Sequence, residues 1–385
     1  MLELFTEIAI GSLRLQNRLV RSATNARLAG RDGFMSKREI RLYSRLSAGG
    51  VGLIVTGHTY VRVDGKCSVG MLGLHTDEHI PGFAAAAQAV HRRGDAKLVV
   101  QLSYGGAQVP PDLRAGKLLA PSPRADVPEV RAMSLEEIEL LALAYIEAAG
   151  RAQEAGLDGV QLHCAHGYFI NQMLSPLTNR RQDRYGGDTE GRFRFLAEVI
   201  RGIRGRTGSG FPLLLKLACR DQDPEGLTLE ETVRMARWAE ELGCAAVEAS
   251  GGMPSGMSIL PAGDGAREGV FVPEAAALKA VLGIPVASVH LHRRLEAMED
   301  VLAAGRADLI SLSRPLIREP DLPVRFHSGP VRFHSGPVRF HSGPARLHSG
   351  MNPQAACISC NLCLSRRDSP TRCWAAAAEA PGGRG

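Results

Sequence analysis

The sequence predicts an α/β protein folded as one closed (β/α)₈ barrel. Short β-branched or leucine-rich runs alternate with longer segments of helical periodicity, which is typical of parallel βα units. The glycine fingerprint G-x-G-x-x-G of an open dinucleotide-binding sheet does not follow the first run. A chain of 385 residues with 44% hydrophobic content is long enough for a barrel in a single domain. The predicted strands span residues 17–24, 51–57, 97–103, 158–163, 212–218, 245–250, 284–289 and 307–313.

Helices are expected between these strands, and three of their starts carry a capping box. In this motif a Ser or Thr hydroxyl and the carboxylate of a Glu three residues later satisfy free backbone N–H groups of the first turn. Glycines that follow the apolar periodicity predict where helices end. The capping boxes are Ser36/Glu39, Ser134/Glu137 and Thr228/Glu231, and the terminating glycines are Gly49, Gly50, Gly156 and Gly243.

The basic charge of the chain says little about nucleic acid, and we expect neither a nucleic acid nor a membrane partner. The net charge of +6 includes four arginines of residues 323–350, a segment without acidic residues, so the rest of the chain is only weakly basic. No basic stretch precedes an apolar run at the N-terminus, and no later segment offers about 18 uncharged apolar residues. We expect a soluble, cytoplasmic protein.

Polar residues gather where the predicted strands end. In a (β/α)₈ barrel, ligand-binding groups lie at the C-terminal ends of the strands and in the loops after them. An apolar barrel has no structural use for such residues at one rim, so they predict a ligand site. The residues at these ends, most of them polar, are Ser22, Ala23, Thr24, Asn25, Gly57, His58, Gln101, His163, His166, Tyr168, Lys216, Ser250, Gly251, Gly252, Ser313 and Arg314.

The densest signal is the run from His163 to Tyr168 after the fourth strand. Two imidazoles three residues apart around a turn can converge on one oxygen, and a phenol can donate a proton. Two alternatives are histidines that only cap a helix or fill the core, and a zinc site, although no third ligand lies nearby in sequence. The position at a strand end favours a catalytic site.

This run and three other stretches resemble the Old Yellow Enzyme family of NAD(P)H:flavin oxidoreductases. The resemblance covers about residues 2–322, and the cysteine-rich tail is similar to the branch that contains 2,4-dienoyl-CoA reductase and trimethylamine dehydrogenase. The four stretches are Ile10–Val20, Ala48–Ile54, His163–Gly187 and Ser313–Pro320.

The resemblance implies that FMN lies across the barrel mouth. The segment matching Ser22–Asn25 contacts the isoalloxazine, with Asn25 tuning its C4 carbonyl. Gln101 and Lys216 match residues that bind the pyrimidine edge, where a cation stabilises negative charge on the reduced flavin. Arg314 matches the phosphate-binding arginine. The remaining residues assigned to the cofactor are His58, Gly251, Gly252 and Ser313.

The resemblance also implies a catalytic set. His163 and His166 match the pair that holds the substrate's carbonyl oxygen, and Tyr168 matches the proton donor. In the resulting hypothesis, NAD(P)H delivers hydride to the flavin and leaves, and an α,β-unsaturated carbonyl compound takes its place. The histidines polarise its carbonyl, the flavin delivers hydride to the β-carbon and Tyr168 protonates the α-carbon.

Two stretches depart from the family pattern. Relatives usually have a Gly-Gly pair after the seventh strand, where this sequence reads Val289-His290-Leu291-His292. Side chains there could crowd the FMN phosphate, or a histidine could donate to it. The third strand is followed by Ser103–Gly106, where many relatives have a histidine after the glutamine. That change affects the pocket wall and substrate choice.

The tail divides into a repeat and a cysteine cluster. Residues 323–350 repeat Pro-Val-Arg-Phe-His-Ser-Gly with small changes, and we expect an extended, flexible linker, with a histidine metal array as the alternative. The cysteines that follow are spaced C-x₂-C-x₂-C-x₉-C, which favours a [4Fe–4S] cluster over zinc or free thiols. They are Cys357, Cys360, Cys363 and Cys373.

The sequence therefore predicts a barrel over residues 1–322, a linker over 323–350 and an iron–sulfur tail over 351–385. The leading function is reduction of the C=C bond of enone-type small molecules with NAD(P)H, by a chain that forms a homo-oligomer or meets a redox partner. A second reading is an FMN/[4Fe–4S] dehydrogenase that passes electrons to a partner subunit. From another class, a non-redox barrel such as an aldolase using Lys216 and an inactive FMN-binding remnant stay open.

Overall fold

Eight parallel strands close into a barrel in the computed structural model, as predicted. The structure describes residues 2–114, 116, 118–124, 127–252, 268–328, 354–357, 363 and 369–373. The barrel strands follow the order β3-β4-β5-β8-β9-β10-β11-β12, and β12 pairs with β3 to close it. They are β3 (Leu19–Arg21), β4 (Leu53–Tyr60), β5 (Lys97–Ser103), β8 (Gly159–Cys164), β9 (Leu213–Ala218), β10 (Ala246–Ser250), β11 (Val286–Val289) and β12 (Leu309–Leu312).

These strands form because each is a nearly continuous apolar run buried on both faces. The outer face packs under the surrounding helices and the inner face fills the barrel, which is the pattern of parallel sheets. Every residue of β4, β8, β9 and β10 is buried. All eight predicted strands are therefore confirmed, and most differ from the prediction by one to three residues at their ends.

A short hairpin covers the N-terminal end of the barrel. Strands β1 (Ile8–Ile10) and β2 (Leu13–Leu15) pair antiparallel around Gly11, whose φ is +54°. Their buried side chains Ile10, Leu13 and Leu15 belong to the same apolar cluster as barrel residues such as Leu53, Val99, Leu214 and Leu309. The hairpin therefore closes the end of the barrel opposite the predicted ligand site.

Ten helices surround the barrel in the described part of the chain. Two of the three capping boxes are complete, at Ser134 and Thr228. At Ser36 the hydroxyl accepts from the Glu39 N–H, but the Glu39 carboxylate accepts from Tyr43 instead of capping. The helices are α1 (Lys37–Ala48), α2 (Ile80–Arg93), α3 (Leu135–Glu154), α4 (Phe169–Leu174), α5 (Thr189–Thr207), α6 (Leu229–Glu241), α7 (Val272–Lys279), α8 (Leu295–Ala303), α9 (Arg314–Arg318) and α10 (Leu322–Ser328).

The predicted boundary between barrel and linker at residue 323 falls inside α10. The first repeat unit, expected to be extended, is helical as far as Ser328. Pro323 is tolerated because it lies in the first turn, where a backbone N–H has no helical partner. Phe326 and Val324 are buried, so apolar packing overrides the expected break. Residues 329–350, and with them the later repeats, lie outside the described residues.

A small sheet extends the fold beside the barrel. Strands β6 (Leu118–Ala120) and β7 (Val130–Ala132) pair in parallel and form a separate apolar cluster with Val109. Sequence reasoning did not predict them, because three-residue strands show no clear periodicity. Among the described residues, no helix is both long enough and apolar enough to cross a bilayer.

Candidate active site at the barrel mouth

The parallel strands bring the predicted site residues to one mouth of the barrel. Cross-strand register sets several of them side by side, since His58 pairs with Gln101, His163 with Lys216 and Lys216 with Glu248. A β-bulge between Val55 and His58 shifts the register of β4 just before His58, which lies at the mouth. Where β12 pairs with β3 to close the barrel, the hydroxyls of Thr24 and Ser313 lie 2.8 Å apart.

Three imidazoles and a phenol form the centre of the site. The ring of His163 lies 5.1 Å from that of His166 and 4.6 Å from that of Tyr168, measured between ring centres. The ring of His58 lies 5.0 Å from that of Tyr168 and 6.2 Å from that of His163. The structure thus brings together the predicted catalytic set and adds His58 to it.

His166 has a backbone conformation that few histidines adopt. Its φ is +61° and that of Gly167 is +74°, so the chain turns back over the mouth immediately after β8. The His166 N–H donates to the Gly251 carbonyl, and its Nε2 lies 2.8 Å from the Ser250 hydroxyl. Asn171 accepts from the Gly167 N–H and secures the turn. These bonds give Ser250 and Gly251 a defined role in orienting His166.

Burial keeps these imidazoles neutral. It lowers the pKa of His166 to about 3, helped by the positive charge of Lys216, and that of His58 to about 4, helped by Arg27. The pKa of His163 also falls well below its usual value, first through burial and then through His166, His58 and Lys216. A neutral imidazole donates one hydrogen bond without carrying a charge.

Asn25 and His58 are hydrogen-bonded to each other. The Asn25 amide donates to Nε2 of His58 at 3.2 Å and to the Ser68 hydroxyl at 2.7 Å, and its Oδ1 accepts from the Arg27 N–H. An acceptor at Nε2 requires the His58 proton to lie on Nδ1. Both N–H groups of the amide are therefore used inside the protein, and the donor that remains is the His58 Nδ1–H.

The turn after β11, where the resemblance implies glycines, has a glycine-like backbone. His290 has φ +88° and Leu291 has φ +62°, so two residues with side chains adopt the left-handed region. Burial, followed by the charge of nearby Arg314, lowers the pKa of His290 to about 4. Arg314 is itself buried at the start of α9. The predicted phosphate region thus contains a neutral imidazole near a buried arginine, and its role as a phosphate site stays a prediction.

The polar atoms at this mouth fit a hydrogen-bonding ligand such as FMN. Four imidazole nitrogens are buried without a hydrogen-bond partner among the described residues, and three of them lie at this mouth: Nδ1 of His58, Nδ1 of His163 and Nε2 of His290. Buried polar groups are nearly always paired, so several unpaired ones at one mouth indicate a ligand that pairs with them. With the Lys216 and Arg314 cations, the set suits an anionic ligand with carbonyl groups.

Two residues of the site were missed by sequence reasoning. Gln161 and Glu248 lie in the middle of β8 and β10, are buried and are hydrogen-bonded to Gln101 and Lys216. Polar residues inside otherwise apolar predicted strands were the available signal. The prediction considered only the ends of the strands and therefore did not include Gln161 and Glu248.

The tail returns to the same mouth. The Thr371 N–H donates to the Ala26 carbonyl and its hydroxyl donates to the Asn25 carbonyl, in the loop after β3. Cys373 Sγ lies 4.0 Å from Arg318 of α9. Cys360 lies outside the described residues, and the described ones contain no group of three side chains able to hold a metal ion. The [4Fe–4S] cluster expected from the spacing is thus not supported by the structure.

A family model identifies the family of this chain. It describes the NADH:flavin oxidoreductase / NADH oxidase family and matches residues 3–331. The chain belongs to this family. The prediction of an Old Yellow Enzyme-type flavin oxidoreductase is thereby confirmed, and the matched residues include every predicted catalytic and flavin-binding residue.

Individual relatives of the chain have names that fit this family. The chain is 36% identical to an NADH oxidase of Thermoanaerobacter brockii over 375 residues, covering 94% of this chain and 54% of that protein. It is 35% identical to an NADPH dehydrogenase of a Geobacillus species over 324 residues, covering 83% and 92%. The structure of an Old Yellow Enzyme homologue from Zymomonas mobilis matches with a TM-score of 0.71 and 26% identity, covering 84% and 92%. The chain thus spans about half the length of the first relative and most of the others.

The site histidines should stay neutral well below pH 6.5, because a lowered pKa means that the folded protein takes up the proton only at lower pH. We expect the ring nitrogens of His166 to keep the ¹⁵N shifts of a neutral imidazole at pH 5, with the signal assigned through His166→Gln. In the urea-unfolded chain the same histidines should titrate near their ordinary pKa, about 6.5. A midpoint near 6.5 in the folded protein would contradict the assigned burial.

Proposed function

We propose that this chain is an FMN-dependent oxidoreductase that uses NAD(P)H to reduce the C=C bond of α,β-unsaturated carbonyl compounds. The observation that carries the proposal is the cluster of neutral His163 and His166 with Tyr168 at the barrel mouth. Family membership and relatives named for NADH and NADPH support the electron donor. Bound FMN would take up hydride from the nicotinamide and supply it to the acceptor.

The mouth offers a place for each part of FMN. Gln101 and Lys216 would bind the pyrimidine edge, and Arg314 with His290 would face the phosphate. The loop after β3 would contact the ring system, and His58 would donate to it through Nδ1. The residues proposed to hold FMN are Ser22, Ala23, Thr24, Asn25, His58, Gln101, Lys216, Gly251, Gly252, Ser313 and Arg314.

His163 and His166 would orient the substrate and stabilise the charge that develops on it. Two neutral N–H donors aimed at one carbonyl oxygen stabilise an enolate more than the ground-state carbonyl, because the enolate oxygen carries more negative charge. A protonated pair would repel Lys216, whose charge already lowers the pKa of both rings. The site therefore favours donors that are neutral before the substrate arrives.

Tyr168 would supply the proton. Burial of the neighbouring imidazoles keeps them neutral, so they are poor acids at pH 7, whereas the phenol next to them can donate. The ring of Tyr168 lies 5.0 Å from that of His58 and 4.6 Å from that of His163. We therefore assign protonation of the α-carbon to the Tyr168 hydroxyl.

The aldolase alternative fits the site poorly. A Schiff-base lysine must be a neutral amine, but Lys216 is ion-paired with Glu248 at 3.1 Å inside the barrel. The neutral histidines and the family match also favour redox chemistry. An inactive remnant is less favoured, because the left-handed turn at His290 and Leu291 can present successive backbone N–H groups to an anion.

Arg314→Met tests the FMN site. We expect the purified wild-type protein to show flavin absorbance bands and to release FMN on denaturation. Loss of the guanidinium should weaken FMN binding by about tenfold or more, because a charge-assisted hydrogen bond is lost, while riboflavin, which lacks the phosphate, should bind as before. Wild-type protein that stays colourless with excess FMN would contradict the proposal.

Tyr168→Phe tests the proton donor. Reoxidation of the reduced protein by an enone should slow by about 10²-fold or more, since general acid catalysis is removed, while reduction by NADPH should keep its rate. Stopped-flow absorbance separates the two half-reactions. Tyr145→Phe, which removes a buried hydroxyl on α3 away from the site, is the matched control and should change neither. Slowing of the NADPH step alone would assign Tyr168 a different role.

The iron–sulfur cluster and a redox partner stay proposals that rest on the cysteine spacing. They would make the chain a dehydrogenase that relays single electrons, with the tail lying against the loop after β3. Protein purified without oxygen should contain iron and acid-labile sulfide in equal amounts, about four of each per chain. Zinc alone, or neither element, would remove the cluster and leave the ene-reductase proposal intact.

A further inference from the structure

Five polar side chains inside the barrel form one continuous hydrogen-bonded chain. They come from four strands and the residue after a fifth, and none is more than 3% exposed. Strand register places two pairs of these residues directly opposite each other, Gln101 with Gln161 and Lys216 with Glu248. The members in order are Gln101, Gln161, Glu248, Lys216 and Ser22.

The charge of Glu248 fixes the direction of this chain. An ionised carboxylate only accepts hydrogen bonds, so Gln161 donates through Nε2 to Glu248 Oε2 at 3.0 Å. The Gln161 Oε1 is then the acceptor for Nε2 of Gln101 at 2.8 Å. This leaves the Oε1 of Gln101 and its second N–H for a ligand. An adjacent acceptor and donor match the C=O and N–H of an imide edge.

The Glu248 carboxylate also balances the positive charge of Lys216. The ammonium donates to Glu248 Oε1 at 3.1 Å and to the Ser22 hydroxyl at 2.8 Å, and Ser22 donates to the same carboxylate oxygen at 2.6 Å. Burial raises the pKa of Glu248, but Lys216 and the hydrogen bonds from Ser22 and Gln161 outweigh it and lower the pKa overall. The carboxylate is therefore ionised, and both charges are present below the mouth.

We propose that Glu248 is a positioning residue that sets both the charge and the hydrogen-bond direction of the subsite for the flavin's pyrimidine edge. The inference rests on the proposed function, because Gln101 and Lys216 would bind that edge. Glu248 reaches the ligand only through these two residues. It makes the subsite selective for an imide and limits how strongly Lys216 attracts negative charge.

The test is the midpoint potential of bound FMN in Glu248→Gln, measured by equilibration with reference dyes. With the carboxylate removed, Lys216 is uncompensated and stabilises the additional negative charge of reduced FMN. We expect the reduced form to gain about tenfold in affinity relative to the oxidised form, which raises the potential by about 30 mV for a two-electron couple. An unchanged or lowered potential in folded, FMN-loaded protein would overturn the inference.

Two further variants separate positioning from simple structural support. Glu231→Gln breaks the partly buried pair between Arg192 and Glu231, away from the mouth, and should lower thermal stability without moving the potential. In a Lys216→Gln background, Glu248→Gln should lose most of its effect on the potential. A full shift in that background, or an equal shift from Glu231→Gln, would show that Glu248 does not act through Lys216.

Glu248→Asp covers the case in which Glu248→Gln does not fold. The charge is kept, but a carboxylate one methylene shorter cannot hold both Lys216 and Gln161. We expect the potential to stay near that of the wild type while oxidised FMN binds severalfold more weakly. Wild-type affinity in this variant would overturn the inference. Wild-type protein that binds no FMN would refute the proposed function itself, which is a distinguishable result.

Discussion

The ion pair between Lys216 and Glu248 inside the barrel is the constraint on which the site depends. Removing two charges from water is costly, and their attraction offsets that cost only when the geometry is good and the remaining atoms are hydrogen-bonded. Register places the two residues opposite each other on β9 and β10, and Ser22 and Gln161 satisfy the carboxylate. Losing either partner would leave a buried charge uncompensated, at about 3–5 kcal/mol.

This buried charge also contributes to keeping the histidines above it neutral. Lys216 lowers the pKa of His166 next after burial, that of His290 after burial and Arg314, and that of His163 as the last of four causes. A single cation thus attracts negative charge on a bound ligand and helps to prevent the neighbouring imidazoles from becoming charged. The neutral donors and the cation are one electrostatic arrangement, not separate features of the mouth.

Much of this arrangement was predictable, and the rest depends on contacts between distant strands. Alternating apolar runs identified all eight barrel strands, because parallel strands buried on both faces leave a strong local signal. The residues at the ends of the predicted strands included the site residues His163, Lys216 and Arg314. The pairing of Glu248 with Lys216 was not predictable, since it depends on the register of two strands. The helix at Leu322–Ser328 was missed because burial of Phe326 outweighs the local preference of a proline-containing repeat.

Backbone conformation adds an independent argument for the location of the site. In the described part of the chain, four residues other than glycine have positive φ, namely Arg27, His166, His290 and Leu291. Each follows the C-terminal end of a barrel strand, at the mouth that carries the imidazoles. A side chain in this region is strained by about 1–3 kcal/mol and persists only where the surrounding structure imposes it. Strain confined to the rims of β3, β8 and β11 is therefore difficult to explain by folding alone, and it favours loops shaped by the ligand they must hold.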